Sequence, residues 1–167
     1  MLARVNNPAI VFEKKVRGVK SGELARFVLQ ASRVVQLRGI VSVLITGNSG
    51  MRRLNSRFRG KSRPTDVLSF PPSADGDLAG DIAISIDIAA HNARVLGHSA
   101  SDEIRILILH GILHLAGYDH ENDDGEMARK ETLLRQRFGL PTGLIERSAV
   151  QHTRKKSAMV PLRRTRP

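Results

Sequence analysis

The spacing of apolar positions changes several times along the chain, and each change marks an element. Residues 9–12 (Ala-Ile-Val-Phe) predict a short first strand. From 22 to 38 the apolar positions Leu24, Phe27, Val28, Ala31, Val34, Val35 and Leu37 follow a helical period, with Ser21 as the expected N-cap. Val41 to Thr46 is β-branched and apolar between Gly39 and Gly47, the pattern of a buried strand. A short helix is expected at 50–58, capped by Asn48 or Ser49. Strands are expected at 65–70 and 81–86, joined by the polar loop 72–80 as an antiparallel hairpin. Asp87–Leu96 reads as a helix with Ile88, Ala89 and Val95 inward, ended by Gly97. The next helix is capped by Ser99 or Ser101, carries Asp102 and Glu103 in its first turn, and runs to about Ala116. Asp123–Phe138 is the last, stopped by Gly139 and Pro141.

Summed up, the pattern predicts an α+β fold, a small mixed sheet of about four strands packed with about five helices. A length of 167 residues fits one domain. Beyond 140 the periodicity fails. The expected organisation is a folded domain over 1–140 and a basic tail over 141–167, with 153–167 disordered.

Charge sharpens this division. The net charge is +11; the tail holds seven basic residues and one acid, whereas residues 1–140 hold 20 basic and 15 acidic. A polyanion partner is expected, nucleic acid ahead of an acidic membrane surface. Aromatics are only 4%, so a broad base-stacking platform is not expected. There are no cysteines, which excludes disulfides, thiolate zinc sites and cysteine nucleophiles. No apolar run approaches the ~18–20 residues needed to span a bilayer, and the N-terminus lacks a secretory apolar core. A cytoplasmic location is the expectation.

The chemistry concentrates in His110-Gly-Ile-Leu-His114-Leu-Ala-Gly117-Tyr-Asp119-His120. His110 and His114, four apart on a helix, leave the same face one turn apart. Gly117 allows the chain to bend and bring His120 back toward them. Three neutral imidazoles form a zinc site with one open position. An apolar helix would bury unpaired imidazoles at about 1–3 kcal/mol each, an objection that a metal ion removes. Nickel or copper also suits three imidazoles.

Two other readings compete for these residues. H-x3-H-x5-H fits metzincin peptidases, but their general base follows the first histidine, where this chain has Gly111. His120-x-Asn122-x-Asp124-Gly125-x5-Glu131 approaches a calcium loop, but with His in place of the first carboxylate. A second basic feature lies upstream: Arg52, Arg53, Arg57, Arg59, Lys61 and Arg63 occupy 52–63 without an acid. Arginine suits bidentate phosphate contacts.

Three blocks together resemble the YbeY family of metal-dependent single-strand endoribonucleases. They are Leu54-Asn-Ser-Arg-Phe-Arg59-Gly-Lys61-Ser-Arg-Pro-Thr-Asp66-Val-Leu-Ser-Phe-Pro71, Gly80-Asp81-Ile-Ala-Ile-Ser85 and the histidine block. Ser62 departs from the family, which usually has Asp there, and the tail exceeds the family core. The resemblance implies a zincin-like site on a central helix, with His110, His114 and His120 as ligands of one Zn2+. It also implies Arg59 as a basic residue beside the cleft. Function would be cleavage of single-stranded RNA in maturing the 3′ end of small-subunit ribosomal RNA and in ribosome quality control, with the small ribosomal subunit as partner. His114 and Arg59 are then expected at the reacting phosphate, and Asp119 either there or orienting a histidine; Asp66 and Asp81 are further candidates for acid or base. The alternative is an assembly factor with a structural zinc completed by a fourth ligand such as His91 or Asp119.

Overall fold

The β-branched run before Gly47 becomes the middle of the sheet. In the computed structural model, which describes residues 7–73 and 76–141, β1 (Ile10–Phe12) and β4 (Leu78–Ser85) flank β2 (Ile40–Thr46), both parallel to it. The edge strand β3 (Val67–Phe70) pairs antiparallel with β4, giving the order β1-β2-β4-β3. The expected hairpin is present, and the sheet is mixed. β4 starts earlier than expected because Leu78 pairs with Ile40 across a register shift, lengthening the strand against β2. The tail and its expected disorder lie outside the described residues.

Alternation along the strands separates two cores. Val41, Val43 and Ile45 join Ile82 and Ile84 in the larger one, with residues of α1 (Ser21–Val34) and α4 (Ala100–Leu115). Ala83 and Leu68 join Met51 of α2 (Asn48–Arg59) in the smaller one on the opposite face. α4 is the central helix: it touches β3, β4, α1, α3 (Ile86–Leu96) and α5 (Glu126–Arg137). Ile106 through Leu113 of α4 are all buried. Each such large aliphatic side chain contributes about 1.5–3 kcal/mol of burial.

Helix ends show where local chemistry decided and where it did not. Ser99 caps α4, its Oγ accepting from Asp102 N–H at 3.0 Å, and Gly97 ends α3 at φ 76°. Ser21 does not cap α1; it is the first helical residue, and Lys20 holds the cap position without a side-chain bond. α1 stops at Val34, four residues before the end that its apolar period predicts, where Gln36 adopts φ 58° and reverses the chain. At α2 the cap is Gly47, and Asn48 Oδ1 instead accepts from Ser85 Oγ at 2.7 Å. Asp123 stands outside α5, whose cap residue is Gly125, and its carboxylate accepts from Gly125 and Met127 N–H, both at 2.8 Å. Val95 is 69% exposed rather than inward; Ala93 takes the buried position, one helical turn after Ala89.

Candidate metal centre and cleft

α4 carries His110 and His114 on one face, and the bend after it returns His120. Gly117 makes that bend at φ 94°, a conformation that a Cβ would strain. His110 Nε2 and His114 Nε2 are 3.1 Å apart. One nitrogen from each of the three rings lies within 4.8 Å of the others, so the three can hold a metal ion. Among the described residues no other His, Cys, Asp or Glu joins the group. His91, a suggested fourth ligand, is exposed on α3 and outside it.

The donor chemistry fits an ion. His110 is buried, and its Nδ1–H donates to Glu131 Oε2 at 3.0 Å, leaving Nε2 with its lone pair toward the other two rings. His120 Nδ1 is buried without a hydrogen-bond partner. Burial holds the His114 imidazole below the ordinary histidine range, and His110 and His120 push the same way. A neutral imidazole is the form that ligates. Glu131, on α5, was missed as a site residue. It appeared in the sequence only as the last position of the calcium-like pattern, and here it is 2% exposed and turned to His110, away from any loop.

These rings form one wall of a cleft of about 780 Å3. Its other walls come from β3, from the bend after α4 and from the end of α2, which supplies Phe58 and the exposed Arg59. The cleft thus brings together Arg59, Asp66, Asp119 and all three histidines. Asp81 does not line it. Asp66 Oδ1 accepts from Val67 N–H at 2.9 Å, and Asp119 accepts from Glu121 N–H at 3.1 Å and from the Asn122 side chain. The Asn122 bond, then the Glu121 amide, hold the Asp119 carboxyl below the usual carboxylate range. Asp119 is therefore an ionised turn-closing group at the rim, while the carboxylate bonded to a triad histidine is Glu131.

Gly111 has a spatial reason. A Cβ there would lie 2.8–3.1 Å from three atoms of the Ile82 side chain, itself 1% exposed. The helix can approach β4 this closely only without a side chain, so the position that carries a metzincin's base is closed here.

A family model described as "Endoribonuclease YbeY" matches residues 12–139. The chain belongs to the YbeY family. An endoribonuclease YbeY of Koribacter versatilis is 53% identical over 139 residues, covering 83% of this chain and 91% of its own. That of Solibacter usitatus is 45% identical over 139 residues, with 83% and 93% covered. A solution structure of a Thermotoga maritima protein superposes with a TM-score of 0.53 at 28% identity, covering 95% of this chain and 99% of that one. The YbeY match includes the histidine block, the basic segment and Glu131. No helix among the described residues is long and apolar enough to cross a membrane.

Proposed function

We propose that this chain is a zinc-dependent endoribonuclease that cuts single-stranded RNA in the cytoplasm. Its role is 3′-end maturation of small-subunit ribosomal RNA and ribosome quality control, with the small subunit as partner. The observation that carries this reading is the shared cleft: three imidazoles on one wall and the Arg59 guanidinium on another. The endoribonuclease activity of the YbeY family agrees with it. The site lies within residues 1–140, and the basic residues of 141–167 add phosphate contacts.

His110, His114 and His120 would hold the ion. When bound, it supplies Lewis acidity toward a phosphodiester and lowers the pKa of water. Arg59 binds nonbridging phosphate oxygens and offsets the charge that grows on them. Glu131 keeps the proton on His110 Nδ1 and fixes the ring's orientation. Asp119 keeps its negative charge, and Asp66 is a second cleft carboxylate that can accept a proton. The absence of a fourth protein ligand among the described residues favours an open catalytic ion over a closed structural one.

The test is cleavage of a labelled unstructured RNA at neutral pH by zinc-replete protein, chelated protein, His114→Ala and Arg59→Glu. Cleavage by the first alone, restored to the chelated sample by zinc, supports the reading; equal cleavage in all four overturns it. A cyclic phosphate end would assign the attack to the substrate 2′-OH, and a linear phosphate end to water. Deleting residues 141–167 should weaken RNA binding and flatten its salt dependence, since each phosphate neutralised contributes about 0.7 to the logarithmic slope on single strands. An unchanged slope removes these residues from the interface.

A further inference from the structure

Phe58 is 57% exposed, although it ends the apolar stripe of α2. Met51, Leu54, Asn55 and Phe58 follow the helical period; Met51 and Leu54 pack on the sheet, and buried Asn55 donates to the Arg63 carbonyl at 2.7 Å. Phe58 overhangs its end. One neighbour steadies it: Phe70, at the end of β3, meets it edge to face with centroids 5.0 Å apart. The Arg57 guanidinium carbon lies 5.3 Å from its ring centroid. The ring is therefore held, half-solvated, as part of the cleft wall next to Arg59.

An exposed phenyl ring among arginines is a poor surface for water and a good one for a nucleobase. Bases stack on aromatic faces only when they are unpaired, and the flanking cations match the phosphates on either side. Arg52, Arg53, Arg57, Arg59, Lys61 and Arg63 are all exposed on this segment. The same charge would attract an acidic membrane or peptide, but the ring shares its cleft with the three imidazoles, and that pairing fits an RNA strand.

We propose that Phe58 is the base-stacking residue of the cleft, holding one unpaired nucleobase so that the adjoining phosphate lies at Arg59 and the histidine wall. This rests on the RNA-cleaving reading and gives it a source of single-strand selectivity. Phe58 is a positioning residue: it touches the base and leaves the reacting phosphate to others.

The chain has no tryptophan, so Phe58→Trp introduces a unique fluorophore at this position. The experiment uses full-length zinc-replete protein, oligoadenylate with a 2′-O-methyl backbone whose length is checked by gel after each titration, and the same strand with abasic sites. Intact oligoadenylate should quench the new tryptophan, and the abasic strand should not. In parallel, Phe58→Leu should weaken oligoadenylate binding by about fivefold or more, the lower end of what one base–aromatic stack contributes, and leave the abasic strand unaffected. The thermal midpoint of Phe58→Leu shows that it is folded. Wild-type binding with no quenching and no loss in Phe58→Leu overturns this proposal while leaving the nuclease reading intact. Failure of wild-type protein to bind either strand overturns the nuclease reading first. Equal quenching by both strands assigns the contact to backbone and overturns stacking.

Discussion

Two buried histidine–glutamate pairs occupy the two ends of α4, and only one of them belongs to the site. At the start of the helix His98 Nε2 lies 2.7 Å from Glu103 Oε2, with both side chains buried, and Asn92 Nδ2 donates to Glu103 Oε1 at 3.3 Å. Towards its end His110 Nδ1 donates to Glu131 Oε2 at 3.0 Å. The chemistry of the two pairs is the same. What differs is the second ring nitrogen. That of His110 faces two more imidazoles in an open cleft, whereas His98 is outside the metal-capable group and ties the α3–α4 corner together. A buried histidine–carboxylate pair is thus a structural clamp by default and becomes part of a metal centre only through what lies beyond the ring.

This comparison can be broken by mutation. The largest expected effect is on stability: Glu103→Ala should destabilise the metal-free protein by about 3 kcal/mol in urea titration, because it orphans buried polar partners and leaves a void. Its zinc affinity should stay that of wild type. Next, Glu131→Gln keeps the shape and a hydrogen-bond acceptor but removes the charge; zinc affinity, read by competition with a chromogenic chelator, should fall by about ten- to hundredfold. A variant that loses stability but keeps its affinity would make the two pairs equivalent and dissolve the distinction. The smallest effect belongs to an exposed ion pair, the 2.6 Å contact of Asp87 with Lys14. The Lys14 bond, then the Asn48 amide, lower the Asp87 carboxyl. Its contribution is therefore full above the ordinary carboxylate pKa of about 3.9 and is lost as pH falls through the lowered folded value. Asp87→Asn should flatten the acid limb of Tm against pH, by no more than the ~1 kcal/mol that an exposed pair contributes.

How much of this was legible in the sequence follows from the range of the forces. The triad was readable because His110, His114 and His120 are neighbours in the chain and need only a helix and a bend. The hairpin, the Ser99 cap and the Gly97 stop were readable for the same local reason. Glu131 was not, since 21 residues separate it from His110 and only the packing of α5 on α4 joins them. Nor was the exposure of Phe58: a helical period says which face a residue shares, not where the covering sheet ends. Asp119 was legible as a neighbour of His120, and it does line the cleft. Its place beside His120 made it look like an orienting carboxylate, yet its bonds go to Glu121 and Asn122 in its own turn. Gly111 was legible as a missing base, while its reason, the Ile82 side chain, was not.

That contact between Gly111 and Ile82 has an evolutionary consequence. His110 and His114 flank the close approach of Gly111 to Ile82, so the place at which the helix holds them is set by the hydrophobic core. Substitutions that enlarge position 111 or reshape Ile82 would move both imidazoles together, and selection on metal chemistry would then act on core residues that never meet a substrate. The wall from the end of α2, Phe58 and Arg59, is exposed chain with few such ties. Descendants of this protein could trade one RNA target for another by changing that wall alone, keeping the metal wall as inherited hardware.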